Sequence, residues 1–234
     1  MIYAHSKLDA PRSEWEPLAD HLRDVGRRAA EFAADFGCES AARAAGLLHD
    51  IGKASAAYQA YISSPQPSPQ RGPDHSTAGA REAEELYGPH LGRMLAFAIA
   101  GHHAGLADFP ELNRRVHEKA LEDYAGWQAH AGPLPVAASM APTRVFRRSV
   151  HPGFSEAFLA RMLFSCLVDA DFLATERFYH QVEREPPADL ASLRTRLMQH
   201  LARMRRGDTE LNRLRSAVLD HAVAKASLDP GLFT

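Results

Sequence analysis

The side chains best suited to chemistry in this sequence are histidines and aspartates at the ends of apolar helical runs. His49 and Asp50 end one such run side by side, and Gly52 and Lys53 follow almost at once. A neutral imidazole and a carboxylate cost free energy when buried without partners, and a divalent cation satisfies both. The pair alone equally fits a helix that ends in solvent with Gly52 as its cap. The rest of the chain favours the metal, because it supplies more side chains of the same kind.

Further histidines lie at the boundaries of other predicted helices. His102 continues an apolar stripe to its end and His103 follows it. Buried imidazoles need an acceptor for each N–H, so metal binding is favoured for this pair over simple packing. His75 lies at a predicted helix N-terminus, which disfavours protonation and leaves the neutral ligand form available. His21 borders the inward face of the first helix and, by itself, fits a hydrogen-bonded histidine at the core edge better than a ligand.

Two aspartates occur within the most apolar helical segment of the chain. Asp169 and Asp171 each continue an apolar row, so periodicity leaves both open as the inward-facing carboxylate. A carboxylate buried there without a cation would cost several kcal/mol. Together, the histidines and carboxylates from separate helices suit a hydrolytic centre with two cations about 3.5–4 Å apart.

The elements that must position these side chains are helices. Apolar residues recur at spacings of three and four, no stretch alternates as a strand does, and no glycine-rich phosphate loop is present. The last helix before Pro186 is apolar nearly all round and is expected to be a buried central helix. The helices predicted up to this point cover residues 17–36, 40–50 with Ser40 as cap, 54–62, 76–87, 91–102, 111–124 and 155–178.

Two more amphipathic helices follow Pro186 and Pro187. The sequence therefore predicts an all-α helical bundle over residues 1–185, with a C-terminal appendage of two helices and a connector over residues 186–234.

Composition sets broad limits on function. The chain has 234 residues, 45% of them hydrophobic, and two cysteines, so a disulfide framework is improbable and cysteine-type zinc sites are excluded. Its formal net charge of −2 gives no global attraction for nucleic acid, which would need a local basic patch. Without a signal peptide or an apolar span, a cytoplasmic location is expected.

One local basic patch lies in a proline-rich stretch over residues 132–154. It carries Arg144, Arg147 and Arg148. Most charge runs are solvated surface, but long loops inside compact domains are often lids or binding loops. These arginines are therefore candidates for nucleic-acid binding.

Four motifs in the sequence resemble those of the HD superfamily of metal-dependent phosphohydrolases. They are HDIGKAS from residue 49, DHS from residue 74, GHHAGL from residue 101 and ADFLAT from residue 170. Within the superfamily, their order and the adjacent histidines resemble the HD nuclease domain of the CRISPR-associated nuclease-helicase of type I interference systems. The resemblance implies an HD-domain helical bundle.

The resemblance also implies two metal ions that share Asp50. The implied ligands are His21, His49, Asp50 and Asp171 for one ion, and Asp50, His75, His102 and His103 for the other. Asp171 is preferred to Asp169 because it matches the family's Ala-Asp-aromatic pattern. Lys53 would lie near the substrate phosphate as a fixed positive charge, although a solvated lysine after a helix end is about as compatible with the sequence.

The function implied by the resemblance is hydrolysis of single-stranded DNA by two-metal-activated water, in CRISPR antiviral defence. Manganese, iron, nickel or cobalt would suit an imidazole-rich site better than magnesium. The implied partners are a helicase domain of the same parent polypeptide, beyond residue 234, and a guide-RNA surveillance complex. Two alternatives remain, namely an HD-type nucleotide phosphohydrolase and a non-enzymatic metal-binding docking module.

Overall fold

The computed structural model describes residues 1–64, 72–141, 152–180, 188–204, 209–226 and 228. The chain divides into two compact units, Met1–Val182 and Glu183–Thr234. The candidate nucleic-acid residues Arg144, Arg147 and Arg148 lie outside the described residues, as does the predicted domain boundary at residues 185 and 186.

The prediction of an all-α fold is confirmed. The helices of the first unit are α1 (Leu18–Ala33), α2 (Glu39–Leu48), α3 (Ala56–Ile62), α4 (Ser76–Tyr87), α5 (Arg93–Gly101), α6 (Phe109–His117), α7 (Gln128–Ala131) and α8 (Pro152–His180). Short 3₁₀ turns occupy Arg12–Glu14, Ala34–Phe36, Ile51–Ala54 and Ala137–Ser139, and a π-helical turn occupies Gly88–Gly92. The second unit contains α9 (Leu190–Met204) and α10 (Glu210–Lys225).

A short antiparallel pair of strands, which the sequence did not predict, precedes the first helix. Strand β1 (Tyr3–His5) pairs with β2 (Glu16–Pro17), and His5 lies opposite Glu16 in the register. Strands of this length are too short to show a hydrophobic alternation. The pairing brings the N-terminal segment to the beginning of α1.

The core of the first unit forms where α1 packs against α2 and α8, and where α5 packs against α4 and α8. The inward stripe of α1 is fully buried through Leu22 and Val25, as the spacing predicts. On the facing helices, Leu48, Ile99 and Leu167 are also fully buried. These contacts hold the end of α2 in the interior of the unit.

The expectation that α8 is buried all round is wrong. Phe158 and Phe172 are 57% and 59% exposed, and the buried residues of the helix follow one face. They are Leu163, Cys166, Leu167, Ala170 and Ala174. Apolar content alone did not reveal which face packs. Although α8 has 29 residues, no helix within the described ranges is both long and apolar enough to span a membrane.

Two predicted helix boundaries are also corrected. Helix α6 ends at His117 rather than at residue 124, and the Arg81 guanidinium donates to the carbonyls of Val116 and Lys119 at that end. These side-chain bonds satisfy carbonyls that a longer helix would use itself. Helix α2 begins at Glu39, so Ser40 lies inside the helix and is not its cap.

Gly79 allows α4 to approach the end of α2 closely. A Cβ at this position would overlap the carbonyl oxygen of Leu48 and lie 3.1 Å from the Ile99 side chain. Gly153, near the start of α8, has open space around the same position.

We expect Gly79→Ala to lower the free energy of unfolding by about 1–3 kcal/mol, because added volume in a packed interior forces the backbone to shift. Gly153→Ala is the matched control and should not destabilise the protein. Urea denaturation of both variants measures the difference. Equal stability of the two variants would show that α4 can move away from α2 at little cost.

Candidate metal centre

The candidate ligands come from five elements that meet at the end of α2. His49 and Asp50 directly follow that helix and are fully buried. The side chains contributed by the other elements are His21 from α1, His75 at the start of α4, His102 and His103 at the end of α5, and Asp171 from α8. The structure thus brings together every histidine and aspartate that the resemblance assigns to the two ions.

Asp50 lies at the centre, and its two oxygens face different histidines. Oδ2 lies 3.3 Å from Nε2 of His49 and 3.5 Å from Nε2 of His21. Oδ1 lies 3.4 Å from Nε2 of both His75 and His102. One carboxylate therefore joins two groups of nitrogen ligands, which is the arrangement of a bridging ligand between two cations.

Asp171 completes the first group, and Asp169 does not enter it. Oδ1 of Asp171 lies 3.3 Å from Nε2 of His21 and 3.5 Å from Nε2 of His49. Asp169 is exposed, because two residues along a helix turn a side chain to nearly the opposite face. The geometry distinguishes two carboxylates that the periodicity left equivalent.

The second group lies nearer to solvent than the first. Nε2 of His75 and Nε2 of His103 are 3.0 Å apart, with His75 half-buried and His103 exposed. His102 beside them is buried. A substrate can therefore approach the centre from the side of His103.

Backbone carbonyls fix the orientation of three imidazoles. Nδ1 of His49 and of His102 each lie 2.7 Å from a carbonyl oxygen, those of Gly46 and Ile99, and Nδ1 of His75 lies 3.1 Å from the Pro73 carbonyl. A carbonyl only accepts hydrogen bonds, so Nδ1 carries the proton in each ring. The lone pair on Nε2 then points into the centre, ready for a cation.

The residues of the centre fit divalent cations. Both ring nitrogens of His21, Nε2 of His49 and of His102, and Oδ1 of Asp50 are buried and, within the described chain, make no hydrogen bond of normal geometry, while Oδ2 of Asp50 pairs with the Lys53 ammonium at 2.6 Å. Buried polar atoms are normally satisfied, so a cluster of such imidazole nitrogens around a carboxylate fits a site whose lone pairs bind cations. Imidazole and carboxylate together suit transition-metal ions.

In the first group, the charges of the histidines and the carboxylates shift one another's pKa values. Burial alone would lower the pKa of His49, but the charges of Asp50 and Asp171 outweigh it and raise the pKa to about 9. Burial would raise the pKa of Asp50, but His49 and Lys53 hold it well below its usual value. Protons on the imidazoles can therefore balance the carboxylates when no cation does so.

The electrostatics of the second group differ. Burial lowers the pKa of His75 to about 4, despite the nearby charge of Asp50. His75 is thus neutral near pH 7 and can bind a cation without first losing a proton.

Lys53 is part of the centre and is not the solvated lysine that the sequence also allowed. It is buried, and its ammonium lies 2.6 Å from Oδ2 of Asp50 and 3.3 Å from Nε2 of His5. Burial would lower the pKa of Lys53, but the charge of Asp50 outweighs it and raises the pKa. The side chain therefore stays protonated beside Asp50. A contact with substrate phosphate remains a prediction.

Sequence reasoning missed two residues that border the first group, His5 and Glu16. Oε2 of Glu16 lies 2.7 Å from Nδ1 of His5 and 3.3 Å from Nδ1 of His21. Neither residue lies at the end of an apolar helical run, so the signal that identified the other candidates was absent. Only the pairing of β1 with β2 brings them together.

Arg115 of α6, also missed, ties together the two helix ends that carry the second group. It donates to the Ala100 carbonyl near the end of α5, and to the hydroxyls of Ser76 and Thr77 at the start of α4. The carboxylate of Asp74 caps α4 by accepting from the backbone N–H of Thr77. These bonds set the distance between the histidines that follow α5 and the histidine that precedes α4.

Comparison with known families agrees with this geometry. Residues 18–124, just under half of the chain, match the HD domain family. No curated protein matches the chain. Residues 18–124 are therefore similar to HD domains, which form a superfamily of metal-dependent phosphohydrolases.

We expect Asp50→Asn and Asp50→Ala to lose both ions, because each group of ligands depends on one oxygen of that carboxylate. Asp171→Asn should weaken only the ion of the first group. Asp169→Asn is the matched control, an exposed carboxylate on the same helix, and should bind as the wild type does. The measurement is elemental analysis after loading with Mn²⁺ or Ni²⁺ and dialysis. Retention of two ions by the Asp50 variants would show that the bridge lies elsewhere.

Proposed function

We propose that this HD domain is a two-metal nuclease that hydrolyses phosphodiester bonds of single-stranded DNA. The observation that carries the proposal is the position of Asp50, whose two oxygens face two separate groups of buried imidazoles. When bound, two divalent cations at such a site lower the pKa of water and offset the charge of phosphoryl oxygens.

The side chains around these cations would have different roles. Asp50 would join the two groups of ligands, and Asp171 would add negative charge to the first group. Lys53 balances part of the charge of Asp50 from inside the protein, through a buried ion pair of 2.6 Å. His103 and His75 form the accessible side, so the scissile phosphate would enter there.

Aromatic side chains near the centre support a polynucleotide substrate. On α3, Tyr61 is 37% exposed and packs against the buried ring of Tyr58, which lies 5.1 Å from that of His75. At the end of α8, Tyr179 lies against Phe178 and is 46% exposed. Bases of a single strand stack on such rings with little sequence preference, whereas bases in a duplex are already stacked and paired.

A nucleotide phosphohydrolase would need an enclosed pocket for a single base beside the metal centre, and one cavity among the described residues can be compared with that requirement. A cavity of about 670 Å³ is lined by apolar residues that include Met94, Phe97, Met140 and Leu163. None of the candidate metal ligands lines it. The cavity therefore gives no support to the nucleotide alternative.

The proposed biological setting is CRISPR type I interference. It is supported by the order of the four motifs and by the adjacent histidines of GHHAGL. In that setting a helicase domain of the same polypeptide would separate the strands, and a guide-RNA surveillance complex would choose the target. Arg144, Arg147 and Arg148 remain candidates for guiding the strand towards the centre.

We expect the purified protein to degrade circular single-stranded DNA with Mn²⁺ or Ni²⁺, without ATP, and to leave blunt duplex largely intact. The assay includes a panel of nucleotides, EDTA controls, and the Asp50→Asn and Asp169→Asn variants. Activity should disappear with EDTA and in Asp50→Asn, and should persist in Asp169→Asn.

Other results would favour the alternatives. Hydrolysis of nucleotides alone would indicate a nucleotide phosphohydrolase. Two bound ions without hydrolysis of any substrate would indicate a metal-binding module. Equal rates on duplex and on single strands would contradict the proposed need for strand separation.

A further inference from the structure

We propose that Glu16 is a positioning residue of the metal centre, which orients His21 and, through His5, holds Lys53 against Asp50. The inference rests on the metal centre of the proposed function, but on neither its substrate nor its biological setting. It assigns a role to the N-terminal strand pair, which lies outside the matched HD region.

His21 differs from the other buried histidines in what its second ring nitrogen faces. His49, His75 and His102 each direct Nδ1 at a backbone carbonyl, whereas Nδ1 of His21 lies 3.3 Å from Oε2 of Glu16, a charged contact without the geometry of a hydrogen bond. The negative charge of the carboxylate favours the proton on Nδ1 and leaves Nε2 to the cation. A carboxylate behind a metal-binding imidazole also makes that imidazole a stronger ligand.

The same oxygen of Glu16 orients His5. Oε2 lies 2.7 Å from Nδ1 of His5, so this nitrogen donates and Nε2 of His5 is left as an acceptor. The Lys53 ammonium lies 3.3 Å from that Nε2 and 2.6 Å from Oδ2 of Asp50. Polar contacts therefore run in a closed ring from Glu16 through His5 and Lys53 to Asp50, and back through His21.

Packing supports the ring of contacts. The imidazoles of His5 and His21 meet edge to face, with centroids 4.8 Å apart. Phe178 also stacks on His5, with ring centroids 5.9 Å apart. The His5 ring thus has little freedom to turn, and its hydrogen bonds are held in place.

The group of His5, Glu16 and His21 could by composition hold a third cation, but its surroundings argue against one. The Lys53 ammonium already lies 3.3 Å from Nε2 of His5 and would repel a cation bound there. His21 would have to bind one cation through each ring nitrogen and lose both ring protons. The geometry therefore favours Glu16 as a positioning residue.

The local fold explains why Glu16 can reach both histidines. Glu16 lies opposite His5 in the strand register, and β2 leads directly into α1, where His21 begins the second turn. A side chain in the strand therefore faces the first inward histidine of the helix. Pro17 fixes the backbone between them.

The test is calorimetric titration of metal-free protein with Ni²⁺. We expect Glu16→Gln to weaken one of the two ions by about 10–100-fold and to leave the other unchanged, because only the first group contains His21. Glu16→Asp, which keeps a carboxylate on a shorter side chain, should recover part of the affinity. Glu14→Gln is the matched control, because it makes the same change on an exposed side chain two residues away.

Thermal melting of the metal-free variants separates positioning from general stability. A selective loss at one ion with an unchanged melting temperature supports the inference, and Glu16→Asp takes over the test if Glu16→Gln does not fold. Unchanged affinity for both ions in Glu16→Gln would overturn the inference and leave the proposed function standing. If the wild type binds a third ion that only Glu16→Gln loses, Glu16 is a ligand of a separate metal site and the inference is overturned. Failure of the wild type to bind any ion would overturn both proposals.

Discussion

Asp50 is fully enclosed at the end of α2, with imidazoles facing both of its oxygens and the Lys53 ammonium beside one of them. A carboxylate in that position costs several kcal/mol unless positive charge balances it. Protons on histidines, the lysine, or cations can each supply that charge. The helix ends around Asp50 bring the histidines and the lysine within 2.6–3.5 Å of its two oxygens.

Helix ends supply most of the ligands, and backbone carbonyls near those ends orient the rings. The Gly46 and Ile99 carbonyls orient His49 and His102, while close packing at Gly79 brings α4 and its leading histidine to the end of α2. The precision of the centre therefore comes from helix packing and backbone geometry. Glu16 is the exception, because a side chain from a strand performs the same task for His21.

The sequence predicted the helical fold well, because the spacing of apolar residues directly reflects helix faces. Histidines and aspartates at the ends of apolar runs also indicated candidate ligands, because they are hard to explain by packing, but His21 and Asp171 were assigned as ligands only through the family resemblance. It could not choose between Asp169 and Asp171, since both continue apolar rows and only the packing of α8 decides. His5 and Glu16 escaped notice because a strand pair of three and two residues leaves no periodic signal. The exposure of Phe158 and Phe172 was missed because apolar content does not show which face is covered.

Anomalous X-ray diffraction from crystals grown with Mn²⁺ can determine whether Asp50 bridges two cations. Data collected on either side of the manganese absorption edge would locate the ions without assumptions about ligands. We expect two peaks about 3.5–4 Å apart, one against each oxygen of Asp50, with Asp171 beside the more buried ion. A single peak, or peaks that do not contact Asp50, would contradict this bridging role.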